Sequence, residues 1–286
     1  MSKYKLLALD LDGTLLDKNS NLPEENIKAV RLAQENGVQI VLCTGRNPVE
    51  AKNFSDNLLK PADWLVTSNG AYIFKPDGSH NIFSSYLSYD DCKLLLDICR
   101  EYNTDPCFYD ENTLYYGNAF KMFFKEMNIR RDRNPDMKRD NSIFLENDSD
   151  WDNLLKNHEL PFIKSILYHN NPQIVDEIIK KLEQTKKFEL APSVLFGGLM
   201  KNVEINCIGV HKGRGLQILC EHLNISMQDV IAIGDSDNDL TMLKMSGLGI
   251  AMGNADEHIK KVADTCTLTN IEFGVSKAIS QYILND

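Results

Sequence analysis

Short apolar runs in this chain repeatedly end at a polar, turn-forming residue: "YKLLAL" before Asp10, "VQIVLC" before Thr44, "DWLVTS" before Asn69 and Gly70, and "DVIAIG" before Asp235. Runs this short and this continuous suit strands of a parallel sheet that is covered on both faces. Helical patterns separate them. Pro23, Glu24 and Glu25 open one whose apolar positions Ile27, Val30 and Ala33 share a face and which Gly37 stops. "KGRGLQILCEHL" and "SDNDLTMLKMSG" read as two more, and "LGIAMGN", "ADEHIKKVADTCTL" and "FGVSKAISQYIL" carry the alternation to the end. Strands alternating with helices predict an α/β fold with a Rossmann-like parallel sheet.

The texture changes between these outer parts. From about residue 85, "SYDDCKLLLDICREY" reads as a helix, "PCFYDENTLYYGN" as strands with a turn, and "PFIKSILYHNNPQIVDEIIKKLEQTKKFELAPSVLF" as strand, helix, strand. From about Lys201 the first texture returns, with "NVEINC" read as a strand of the first sheet. The expected organisation is a core of residues 1–84 and 197–286 with an α+β domain, 85–196, inserted into it. At 286 residues the chain has room for both.

A formal charge of −10 argues against a nucleic-acid surface, which needs clustered Lys and Arg. The basic stretch "RRDRNPDMKR", Arg130 to Arg139, is broken by acids and Pro135 and reads as a solvated loop. Seven scattered cysteines without CxxC spacing suit reduced thiols. No leader pattern and no long uncharged apolar stretch appears, so a soluble cytoplasmic protein is expected, with no membrane partner.

In open α/β sheets ligands bind at the carboxyl ends of the strands, and there the polar groups of this chain collect. Residues two apart in an extended chain share a face, so Asp10 and Asp12 are expected to point together, with Gly13 allowing a sharp turn. "GDSDNDL" adds Asp235, Asp237 and Asp239. Carboxylates so crowded call for a cation, and an oxygen-only donor set describes Mg²⁺. Thr44 with the amides that follow it, and Lys212 at a helix start, supply the complementary side of a phosphate site. Asp10 would attack phosphorus and Asp12 would serve as general acid and base.

"DLDGT", "TGR", Lys212 with Gly213, and "GDSDND", in this order, resemble the four motifs of the haloacid dehalogenase superfamily of aspartyl-phosphate phosphatases. About 33 residues separate Asp10 from Thr44, whereas the large insertion falls between Thr44 and Lys212. That placement resembles the Cof-like sugar-phosphate phosphatases, which carry a C2-type α/β cap, and "SNGA" and "GVHKG" are similar to their sequences. The resemblance implies Asp10 as nucleophile and Asp12 as acid/base. It implies a Mg²⁺ site from the Asp10 carboxylate, the Asp12 carbonyl and Asp235, supported by Asp239. Phosphate contacts are implied from the Leu11 amide, Thr44, Gly45, Lys212 and Asn238. His211 stands where such sequences more often have Ser or Thr.

The expected partner is a small phosphate ester, hydrolysed under a cap that closes over the leaving group. A phosphotransferase or sugar phosphomutase would use the same residues, and a phosphate-binding regulator would keep the scaffold without turnover. Asn69 and Gly70 fit a turn as well as a substrate contact. Phe108, Tyr109, Tyr115 and Tyr116 read as packing of the inserted sheet rather than sugar stacking. No GxxxxGK[ST] or GxGxxG is present, which disfavours a P-loop or dinucleotide enzyme. Monomer and homodimer both stay open.

Overall fold

The computed structural model describes residues 3–130, 141–157, 161–195 and 198–284. Of the basic stretch, only Arg130 falls within these residues, as the last residue of a helix; the remainder lies outside them. The chain divides into two compact units, Met1–Ser84 with Val210–Asp286, and Ser85–Gly209.

The first unit opens with β1 (Leu6–Leu9), α1 (Glu24–Glu35), β2 (Gln39–Cys43), α2 (Pro48–Asp56), β3 (Trp64–Thr67), β4 (Tyr72–Phe74) and β5 (Asn81–Ser84). The second unit holds α3 (Tyr89–Glu101), β6 (Pro106–Tyr109), β7 (Leu114–Tyr116), α4 (Asn118–Arg130), β8 (Ser142–Phe144) and α5 (Asp148–Asn157). It continues with β9 (Lys164–His169), α6 (Pro172–Thr185), β10 (Phe188–Leu195) and β11 (Met200–Cys207). The chain then returns to the first unit with α7 (Lys212–Leu223), β12 (Val230–Gly234), α8 (Leu240–Met245), β13 (Leu248–Ala251), α9 (Glu257–Lys260), β14 (Thr265–Cys266) and α10 (Gly274–Ile279).

The first unit is an eight-stranded sheet ordered β14-β13-β12-β1-β2-β3-β4-β5, with helices on both faces. Strand alternation explains the layering. Leu7 and Leu9 of β1 face α1, α2 and α10, packing with Ala29, Val30, Ala51, Val275 and Ile279. Leu6 and Ala8 face α7, α8 and α9, with Leu216, Leu219, Met242 and Ile259. All four β1 residues are fully buried, so the run has no polar face to offer solvent. Six strands pair in parallel, while β4 and β5 add an antiparallel hairpin at one edge. In α1 the buried stripe runs through Asn26 rather than Ile27. The Asn26 amide donates to the Leu15 carbonyl at 3.0 Å and accepts from the Ser276 amide at 3.2 Å, which satisfies it in the core.

The second unit is a six-stranded sheet ordered β10-β11-β9-β6-β7-β8. Its β11 corrects the sequence reading. "NVEINC" pairs antiparallel with β10 and β9, so it belongs to the inserted sheet, and the chain returns to the first unit at Val210 rather than at residue 197. The reason lies in its period. Val203 and Ile205 are buried in the second core while Glu204 alternates between them, the pattern of a strand covered on one face. Phe108 is fully buried, stacking on Phe162 at 4.9 Å and edge-on to Trp151 at 5.9 Å. Tyr109 is buried as well, and the Tyr115 hydroxyl donates to Asp110 at 3.1 Å. The seven cysteines are all free thiols, and among the described residues no helix is long and apolar enough to cross a membrane.

Candidate active site

Parallel register brings the functional residues to one rim. Leu9 lies opposite both Ile233 and Leu42, and Cys43 opposite Val66, so Asp10, Thr44, Asp235 and the Ser68–Gly70 turn all follow strands that end at the same level. Gly13 makes the tight return after β1. Its φ is +81°, and a Cβ there would fall 2.2 Å from Asp235 Oδ2, so only glycine lets the turn approach that carboxylate.

At the centre stands Lys212, the first residue of α7 and wholly buried. Its Nζ donates to Asp10 Oδ1 and to Asp239 Oδ1, each at 2.6 Å. Burial opposes its charge, but the carboxylates of Asp10 and Asp239 outweigh that and hold the ammonium well above the usual lysine range. Asp239 is fully buried too, and its other oxygen accepts from the amides of Asp235 at 2.9 Å and Ser236 at 3.0 Å. It therefore fixes both the lysine and the turn that carries Asp235.

Asp10, Asp235 and Asp239 bring carboxylate oxygens within 4.8 Å of one another. Burial, then the Asp239 carboxylate, push Asp10 well above the ordinary aspartate range despite Lys212. Burial and Asp239 likewise raise Asp235 to about 7, against the hydroxyl of Thr14, which donates to it at 3.1 Å. Charge crowded in this way fits a divalent cation held by hard oxygen donors, since a cation would relieve the cost of ionising the group. Asp237 stands apart: it is exposed and lies 2.7 Å from His258 Nε2.

Asp12 shares the rim without joining the three clustered acids, and its charge adds to those that raise Asp10 and Asp235. The regular strand ends at Leu9; beyond it Asp12 is still extended (φ −78°, ψ 118°) and Gly13 turns the chain with φ +81°. The Asp12 carboxylate accepts from Arg46, Nε to Oδ2 at 2.7 Å and Nη2 to Oδ1 at 2.6 Å. Thr44 is buried at the end of β2, where its hydroxyl oxygen accepts from the Arg46 amide at 3.1 Å, and Gly45 lies between the two. The Leu11 side chain is fully buried in the core, which leaves its backbone for the rim. Asn238 donates to Asn69 Oδ1 at 3.1 Å and accepts from the Ser236 hydroxyl at 2.8 Å.

His211 acts as the N-cap of α7, its Nδ1 accepting from the Arg214 amide at 3.1 Å, a role that Ser or Thr commonly fills. The Asn69–Gly70 turn packs against the start of the helix that carries Lys212. Asn69 adopts a left-handed φ of 60°, and Gly70 lies so close to α7 that a Cβ would sit 2.7 Å from the His211 carbonyl oxygen. A Cβ on Gly215 would in turn meet Gly70 Cα at 2.7 Å. Sequence reasoning singled out neither Arg46, Thr14 nor Asn254. The first two lie inside the "TGR" and "DLDGT" motifs, and Asn254 donates to the Gly13 carbonyl at 2.9 Å and to Asp235 Oδ2 at 3.3 Å.

The haloacid dehalogenase-like hydrolase family matches residues 7–279. A 5-amino-6-(5-phospho-D-ribitylamino)uracil phosphatase of Bacillus subtilis is 32% identical over 281 residues, 98% of this chain and 96% of the relative. A second B. subtilis phosphatase is 33% identical over 291 residues, 95% of this chain and 97% of its own. The solved structure of a haloacid dehalogenase-like hydrolase from B. subtilis matches with a TM-score of 0.83 at 28% identity, covering 98% of this chain and 100% of that one. The match spans both units and every residue of the rim, and with that rim built from Asp10, Lys212, Asp235 and Asp239, the chain belongs to the haloacid dehalogenase-like hydrolases, in their Cof-like group, as a phosphomonoester hydrolase.

Proposed function

We propose that the chain is a Mg²⁺-dependent phosphatase that hydrolyses a small phosphomonoester through an aspartyl phosphate on Asp10. The observation that carries this reading is the buried Lys212 bridging Asp10 and Asp239 beside Asp235, a cation and anions set against each other where a phosphoryl group would need both. In the first step an Asp10 oxygen attacks phosphorus, the ester P–O bond breaks, and Asp12 gives a proton to the departing alkoxide. In the second, water attacks phosphorus, the bond to Asp10 breaks with its electrons returning to the carboxylate, and the proton of water passes to Asp12. Lys212, Thr44, the amides of Leu11 and Gly45, and Asn238 hold the phosphoryl oxygens throughout. Asp10, the Asp12 carbonyl and Asp235, with Asp239 behind them, would hold Mg²⁺, which when bound supplies positive charge against the combined anions of site and substrate.

The relative named for 5-amino-6-(5-phospho-D-ribitylamino)uracil supports a primary alkyl phosphate on a sugar-like chain as the substrate class. A panel of sugar phosphates, sugar-alcohol phosphates and nucleotides, assayed for inorganic phosphate with and without Mg²⁺, tests it. We expect the strongest release from a sugar or sugar-alcohol phosphate, and only with the metal. Isomerised ester without free phosphate would instead mark a mutase.

The acidic cluster also sets how stability responds to pH. Asp235 titrates at about 7 in the folded chain and near 3.9 when unfolded, so between those values the folded state holds more protons. Stability of the metal-free protein therefore falls as pH rises from about 4 to about 7, by roughly 2 to 4 kcal/mol from this group, and then levels off. Urea unfolding at pH 5 and pH 8 measures it. Asp235→Asn should flatten the dependence, and Mg²⁺ should stabilise the wild type more at pH 8 than at pH 5.

A further inference from the structure

The residue given the proton-transfer role is not packed with the other acids of the rim but gripped by a side chain from the neighbouring strand end. Arg46 meets Asp12 with two parallel hydrogen bonds, Nε to Oδ2 at 2.7 Å and Nη2 to Oδ1 at 2.6 Å. A planar fork of this kind fixes the carboxylate plane as well as its position. Arg46 is itself held on two sides. Its guanidinium carbon lies 4.7 Å from the centroid of the Phe54 ring, and its amide donates to Thr44 Oγ1 at 3.1 Å. The Arg46 side chain is 24% exposed and that of Asp12 53%, so the arginine is anchored against the protein while the carboxylate it holds stays open at the rim.

We propose that Arg46 is the positioning residue for proton transfer, orienting the Asp12 carboxylate toward the ester oxygen that leaves and the water that replaces it. The inference rests on the phosphatase reading above and deepens it: the phosphate-binding strand end after β2 also aims the acid carried after β1. Arg46 then acts through Asp12 and not on phosphorus.

Leaving groups separate this role from plain structural support. A p-nitrophenolate departs without being protonated, whereas an alkoxide requires a proton, and kcat/KM reports events up to the first departure. In the full-length Mg²⁺-loaded protein, Arg46→Ala should lower kcat/KM for an alkyl ester such as a hexose 6-phosphate by about 10²-fold, and for p-nitrophenyl phosphate by less than about 5-fold. In an Asp12→Asn background, removing Arg46 should add less than about 3-fold on the alkyl ester, because the group it orients no longer transfers a proton. Arg46→Lys, which keeps the charge without the fork, should recover only part of the loss. If Arg46→Ala does not fold, Arg46→Gln carries the same comparison. An equal loss on both esters, or an undiminished effect in the Asp12→Asn background, overturns the proposal. A wild type that hydrolyses neither ester overturns the phosphatase reading and this role with it.

Discussion

Asp10→Asn should lower Mg²⁺-dependent phosphate release by about 10⁴-fold or more while leaving the protein folded. The substitution keeps the shape of the side chain and an acceptor for Lys212, which now donates to Asp10 Oδ1 at 2.6 Å. What it removes is the nucleophilic carboxylate. The loss should be large for activated and unactivated esters alike, since both need the same nucleophile. Steady-state release from both ester classes, with circular dichroism to check the fold, measures it. Turnover at the wild-type rate would mean that water attacks the ester directly and that Asp10 serves only the metal.

Lys212→Met should cost stability as well as activity. The wholly buried ammonium is the shared partner of Asp10 and Asp239, and Asp239 is itself fully buried. Methionine fills a similar volume but leaves two carboxylates facing each other in the interior. Breaking a buried pair from one side costs about 3 to 5 kcal/mol. The carboxylates can escape part of that by taking up protons, so the loss should be largest near pH 8 and smallest near pH 5. Urea titration of the metal-free variant at both values provides the comparison. An unchanged midpoint at pH 8 would show that Lys212 contributes little to holding the cluster.

Several elements of this site were legible because they depend only on local pattern. A buried parallel strand needs a continuous apolar run, and the residue just past the run must be at the sheet edge, so Asp10, Thr44 and Asp235 could be placed at one rim before any coordinates. Lys212 followed from a helix start. What stayed illegible depends on contacts between distant segments. Alternation brings Asp12 to the rim beside Asp10 but does not reveal its grip by Arg46. That partner lies 34 residues downstream, and no local period announces such a pairing. For "NVEINC" the alternation of Val203, Glu204 and Ile205 is a better guide than the returning texture, and it places β11 in the inserted sheet. The link from Asn238 to Asn69 likewise joins turns 169 residues apart.

The near-touching glycines at 70 and 215 bind the two stretches of the core unit that the insertion separates in sequence. Neither position tolerates even a methyl group unless the opposing backbone retreats, and retreat would carry the amino end of the helix, lysine included, out of reach of its acids. A side chain at either position would therefore have to be accommodated by both backbones at once, so the turn after β3 and the start of α7 can only shift together.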